Sequence, residues 1–188
     1  MKAGTIGLVH TENGILPRAV QKFQMKKDAK SGTYNHSFVY IGKWVRDVMI
    51  EAAIKEFEDN QGRMVNAGAY VNPLDIYSDY HKYKTLYLEP AFEVDEDVFM
   101  DAVFQWEGTP YDFKNLLGDQ ILYYTLRWWW GGKNNNRAKN QMVCHELTMN
   151  IWNTYWENKY PMELVPFPNA HMAQVSDIYY SPFFKISE

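Results

Sequence analysis

One side chain in this sequence is chemically unlike every other: Cys144 is the sole cysteine. It lies in Asn140-Gln141-Met142-Val143-Cys144-His145-Glu146-Leu147, where helical spacing of apolar residues begins. A helix N-terminus carries free N–H groups and partial positive charge, which favour the thiolate, the nucleophilic form of cysteine. The same position also suits a small buried hydrophobe, and the cysteine alone does not choose between the two.

A cysteine nucleophile needs a base, and usually a third group that orients the base. Five histidines are available: His10, His36, His81, His145 and His171. His145 follows the cysteine directly, so on a helix its side chain is expected to point about 100° away and to be a poor partner. His36 opens an apolar run and would stand at a strand end, a workable place for a base facing a helix N-terminus. Glu51 lies inside the apolar run Val48-Met49-Ile50-Glu51-Ala52-Ala53. Alternation puts it either on a solvated sheet face or against a polar partner. Beside His36 it would hold the imidazole tautomer and stabilise the imidazolium. Fifteen residues separate the two, a spacing that suits one hairpin.

The elements that must position these groups can be read from periodicity. Strands are expected over residues 5–11, 36–41, 48–53 and 84–88, rich in β-branched and aromatic residues and forming an antiparallel sheet. Pro17, with Ala19, Val20 and Phe23 behind it, marks a helix start. Phe99, Ala102, Val103 and Trp106 follow i, i+3, i+4, i+7 spacing, so a helix capped by Asp95 or Asp97 and stopped by Gly108 is expected. A further helix over residues 115–129 would bury Leu117, Ile121, Tyr124 and Trp128. Another over 143–156 would bury Leu147, Ile151 and Tyr155. The C-terminal stretch holds Pro161, Pro166, Pro168 and Pro182, and irregular structure is expected there. The fold class is α+β, with helices packed on an antiparallel sheet of four to six strands, in a single domain over residues 1–188.

Composition narrows the function. Aromatic residues make up 16% of 188 residues, too many for a disordered chain. The net charge of −4 argues against a dedicated nucleic-acid binder. A lone cysteine excludes an internal disulfide and multi-cysteine zinc sites. No run reaches membrane-spanning length, and the first ten residues lack a signal-peptide pattern, so a cytoplasmic location is the default expectation. Oligomeric state is not legible.

Six pieces occur in one order: a first strand containing Gly7; Ile15-Leu16-Pro17-Arg18-Ala19-Val20-Gln21; Asn35-His36-Ser37-Phe38-Val39-Tyr40-Ile41-Gly42; Val48-Met49-Ile50-Glu51-Ala52; Gly108-Thr109-Pro110-Tyr111-Asp112; and Cys144-His145-Glu146-Leu147. In this the chain resembles the circularly permuted papain-like cysteine hydrolases of the NlpC superfamily, YiiX/YebB-like branch, over residues 4–155. The resemblance implies a permuted papain-like fold with helices on an antiparallel sheet or half-barrel. It implies Cys144 as nucleophile, His36 as base and Glu51 as the group orienting the histidine. Tyr111 matches a tyrosine lining such sites, where it would bind substrate or the oxyanion; a turn aromatic covering the core is the other reading. The implied activity is hydrolysis of a peptide, cell-wall peptide or acyl-amine bond through a thioester, with no cofactor and no metal. Acyl transfer by the same thiol, or an idle binding module, are the alternatives.

Two features depart from the family pattern. The cysteine is commonly followed there by serine, whereas here His145 follows, either adding local positive charge or simply lying exposed. Residues 120–140 form an insertion with Trp128-Trp129-Trp130 and an Asn run. Trp129 or Trp130 is expected beside the active-site groove, with packing on the C-terminal segment as the rival reading. A metal site on Cys144, His145 and Glu146 is disfavoured because adjacent ligands diverge around a helix. A phosphate patch of Lys133, Arg137 and Lys139 is disfavoured by the net charge.

Overall fold

The computed structural model describes residues 1–11, 30–44, 46–59, 61–79, 81–112, 142–168, 170 and 175–187. The expected helices over 15–21 and 115–129, the insertion over 120–140 with its three tryptophans, and His171 lie outside the described residues.

Alternating apolar runs become strands. The eight described strands are β1 (Ile6–Thr11), β2 (His36–Lys43), β3 (Asp47–Ala53), β4 (Phe57–Glu58), β5 (Met64–Val65), β6 (Gly68–Pro73), β7 (Tyr83–Pro90) and β8 (Phe184–Ile186). Six of them form one sheet in the order β6-β3-β2-β1-β7-β8, and β4 pairs with β5 separately. Every pairing is antiparallel. The helices are α1 (Glu96–Trp106), α2 (Cys144–Lys159) and the short α3 (Val175–Tyr179). The molecule is therefore α+β, with an antiparallel sheet within the expected strand number.

The helix boundaries follow from capping. Asp95 accepts from the Val98 N–H at the start of α1, and Gly108 lies just past its end. The two helices are tied where the Trp106 indole donates to Thr154 Oγ1 at 3.0 Å. The expected buried stripe of α2 is present, with Leu147, Ile151 and Tyr155 all buried, and Trp152 joins them. Phe92, Phe99 and Phe184 surround Trp152 edge-on or tilted, at centroid distances of 5.1–5.6 Å. Such rings bury large apolar areas and add directional preferences, so this cluster anchors α2.

The sheet has a core on each face. Leu8, Val39, Ile50 and Ala52 pack with the helices. Val9, Phe38, Met49 and Ala53 pack with Val65 and Ile76 on the opposite face. Gly7 stands beside Phe38 in the β1–β2 register. A Cβ there would come within 2.1 Å of the Phe38 ring, so only glycine leaves that ring room.

Two expectations need correction. The C-terminal stretch is not wholly irregular: it forms α3 and the edge strand β8, whose partner is β7. Tertiary cover from the sheet edge overrides the proline-rich composition. The segment between β3 and β7, given no structure from its sequence, supplies β6 and a 3-10 turn at Leu74–Tyr77.

Candidate active site

His36 is the first residue of β2, and the loop before it is pinned to β1. The Asn35 amide donates to the Thr11 carbonyl at 2.8 Å, and the Asn35 N–H donates to the Val9 carbonyl at 2.9 Å. Alternation sends Ser37 and Val39 toward the helices and places His36 on the Phe38 face. Glu51 stands across from Phe38 in the β2–β3 register, so it is the diagonal neighbour of His36 on that same face. Its flanking residues Ile50 and Ala52 take the helix side. That pattern explains how a carboxylate fits inside an apolar strand.

Glu51 is 1% exposed, and its carboxylate is hydrogen-bonded on both oxygens. Oε2 lies 2.7 Å from His36 Nε2 and accepts from the Tyr77 hydroxyl at 2.5 Å. Oε1 accepts from Asn72 Nδ2 at 3.2 Å. A buried carboxylate is tolerable only when paired and hydrogen-bonded in this way. Tyr77 is itself held by stacking on Phe38, with centroids 5.5 Å apart and planes 2° from parallel. Burial, reinforced by the Glu51 charge, pushes the Tyr77 hydroxyl well above the ordinary phenol range, so it remains a donor.

Cys144 begins α2. Its N-cap, Val143, is extended and has no side-chain acceptor. The Glu146 carboxylate reaches back to the Val143 N–H at 3.5 Å. The chain before the helix is held by a bridge to residue 111: Met142 N–H donates to the Pro110 carbonyl, and Asp112 N–H to the Met142 carbonyl. The 108–110 turn is in turn bonded to β6 through Gly108, Thr109 and Ala69. Gly68 permits this approach, because its φ is +101° and a Cβ there would lie 2.8 Å from the Thr109 carbonyl oxygen. One turn along α2, Thr148 Oγ1 donates to the Cys144 carbonyl at 3.2 Å and lies 2.9 Å from Ser37 Oγ. The residue after the candidate base thus bonds directly to the nucleophile's helix.

Two imidazoles act on the Cys144 thiol. His145 Nδ1 is 3.0 Å from Sγ, and His36, which lines the same cleft, acts on the sulfur through its charge. Nε2 of His36 is taken by Glu51 at 2.7 Å, so Nδ1 is the nitrogen not engaged by the carboxylate. Burial pushes the thiol up, but His145 and His36 outweigh it and hold it well below the ordinary thiol range. Burial likewise opposes charge on His36. The Cys144 thiolate and the Glu51 carboxylate overcome this, and His36 is pushed up from 6.5 to about 10. The arrangement favours a thiolate–imidazolium pair at neutral pH.

For His145, the expectations of exposure and of a ring turned away from the cysteine are overturned. It is neither exposed nor turned away: it is 3% exposed and reaches back to the sulfur. Helix side chains lean toward the N-terminus, and in a first turn with no residue stacked before it the ring can swing beside its predecessor.

A cleft of about 520 Å³ opens over the thiol. Its lining includes His36, Glu51, Tyr77, Tyr111, Cys144 and His145, with Ile54 and Phe57 as apolar wall and Lys55 and Lys82 as cations. Tyr111 fits both of its sequence readings, since it lines this cleft and also packs on the helix-side core. Burial and the neighbouring Cys144 charge push its hydroxyl well above the ordinary range, so it too stays a donor.

The structure therefore brings Cys144, His36, Glu51 and Tyr111 together. It adds Asn72 and Tyr77, which sequence reasoning missed, and places His145 against the sulfur. Asn72 and Tyr77 reach Glu51 across 21 and 26 residues, and no local pattern signals such a contact. Among the described residues, no group of three or more His, Cys, Asp or Glu side chains is arranged to hold a metal ion. Among them, too, no helix is long and apolar enough to cross a membrane. Compared with known proteins, the chain matches no protein-family model and no curated protein.

Proposed function

We propose that this protein is a cysteine hydrolase of the permuted papain-like kind, cleaving an amide bond in a peptide or acyl-amine through a thioester. The observation that carries the reading is the group Cys144, His36 and Glu51 at a helix N-terminus, with the thiol and the carboxylate buried and the imidazole partly open to a cleft. The order histidine, glutamate, cysteine along the chain supports the permuted arrangement.

The Cys144 thiolate attacks the carbonyl carbon, and the carbonyl π pair moves to oxygen. The Cys144 N–H, at the uncapped start of α2, and the Tyr111 hydroxyl are the donors nearest the developing oxyanion. The intermediate collapses as the His36 imidazolium passes its proton to the departing amine. That leaves a thioester and a neutral imidazole. Water then attacks the thioester while His36 takes its proton, and collapse releases the acid and restores the thiolate–imidazolium pair. Glu51 keeps the ring oriented throughout and stabilises its charged form.

Incubation of the full chain with a panel of acyl-amide and peptide substrates, followed by acid quench and intact mass spectrometry, tests this. A mass increase matching the acyl group in the wild type, absent in Cys144→Ala, is expected. Turnover that survives iodoacetamide, or that persists in Cys144→Ala, would sink the reading.

A further inference from the structure

We propose that His145 is a second catalytic imidazole, donating its Nδ1–H to the Cys144 sulfur so that the thiolate is held independently of His36. The role deepens the cysteine-hydrolase reading: the same donor would steady the sulfur as nucleophile and again as leaving group when the thioester is hydrolysed.

The argument rests on the two ring nitrogens. Nδ1 is 3.0 Å from Sγ, within hydrogen-bond distance of the reacting atom. Nε2 is buried and has no hydrogen-bond partner among the described residues, and the residue is 3% exposed. A buried N–H without an acceptor is costly, and a charged one more so. Hydrogen therefore belongs on Nδ1, facing the sulfur, with Nε2 bare. His36 is built differently, because its Nε2 is 2.7 Å from a carboxylate that favours the imidazolium. One imidazole moves a proton; the other keeps a fixed donor on the sulfur.

Among the described residues, other ionisable groups also flank the thiol, and Lys55 and Lys82 line the same cleft. Glu51 and Tyr77 stand behind His36 on the sheet side, and Tyr77 is held as a protonated donor. Tyr111 and Asp112 approach from the 108–112 segment, and Glu146 is on the helix itself. The carboxylates oppose the thiolate and the phenols stay neutral, while His145 and His36 are the groups that hold the thiol low.

The test reads thiol ionisation directly and needs no substrate. Thiolate ultraviolet absorbance and the rate of iodoacetamide alkylation would be followed against pH in the full chain. The variants are His36→Ala, His145→Asn and His145→Gln. An asparagine amide nitrogen can occupy the Nδ1 position, whereas that of glutamine falls nearer Nε2. His36→Ala should still ionise below a free cysteine. His145→Asn should keep the wild-type midpoint. His145→Gln should raise it by about one pH unit, a tenfold loss of thiolate on the acidic side. Equal midpoints for the Asn and Gln variants, or a Gln variant unchanged from wild type, would overturn the assignment. A low midpoint set by His145 in a protein that forms no thioester would instead uphold it and sink the hydrolase reading.

Discussion

The sheet arm of the site and its helix arm treat their polar groups differently. On the sheet, both Glu51 oxygens have partners, and the chain of contacts runs back through Tyr77 and Phe38 to Gly7. On the helix, the N-cap supplies no side-chain acceptor, and among the described residues His145 Nε2 has no partner. A satisfied polar network in a low-dielectric interior is rigid, and a half-satisfied one is kept only where something else gains from it. On the proposed reading, the sheet arm orients a base, while the helix arm keeps a donor on the sulfur.

The largest break in this contrast comes from the helix arm. Cys144→Ala should abolish alkylation and any thioester, with the fold retained by circular dichroism. A variant that still forms acyl-enzyme would place the nucleophile elsewhere.

On the sheet arm, Glu51→Gln keeps the shape but removes the charge facing His36. Turnover should fall by about 10²-fold or more, the range for loss of a positioned acid–base group. The His36 ring should titrate lower by NMR. An unchanged His36 titration would mean that the carboxylate does not govern the ring.

Tyr77→Phe deletes only the hydroxyl. Stability should drop by about 1.5–3 kcal/mol in urea denaturation, as for a hydrogen bond to a charged group. Activity should drop less than in Glu51→Gln, because His36 retains its carboxylate. A larger activity loss in Tyr77→Phe would make the tyrosine a participant in the chemistry.

The pH dependence sharpens the comparison with a smaller effect. His36 is raised from 6.5 to about 10 on folding, so its contribution is complete below pH 6.5 and is lost as pH rises toward 10. The Cys144 thiol is lowered from 9.0, so its contribution is complete above 9.0 and is lost as pH falls through the folded value. Between 6.5 and 9.0 the two slopes cancel. The difference in unfolding free energy between wild type and the His36→Ala/Cys144→Ala double variant should be level across that window and change outside it. A steady slope through the window, measured by denaturation at several pH values, would show that the pair does not ionise together.

Much of the molecule was legible from local patterns. The four expected strands, the Asp95 cap and the buried stripe of α2 depend on alternation, 3.6-residue periodicity and capping chemistry. Glu51 was recognisable because a carboxylate between Ile50 and Ala52 needs a reason. Its register partner, however, is Phe38 rather than His36, and a diagonal pairing cannot be read from spacing. β6 was missed because it opens on glycine and ends on proline, both depleted in strands. The expectation of an irregular C-terminus failed because β8 gains its hydrogen bonds from β7, a distant partner.

By itself, the sequence determined a single candidate nucleophile, the alternation of faces along each expected strand and the helix on which the nucleophile would begin. These follow from residue type and backbone geometry over a few neighbours. Only the tertiary structure decided that Glu51 is buried, that Asn72 and Tyr77 complete its hydrogen bonds, and that His145 turns back to the sulfur. Those outcomes depend on which groups are excluded from water together. Desolvation raises the cost of every unpaired charge and so selects partners across the fold rather than along the chain.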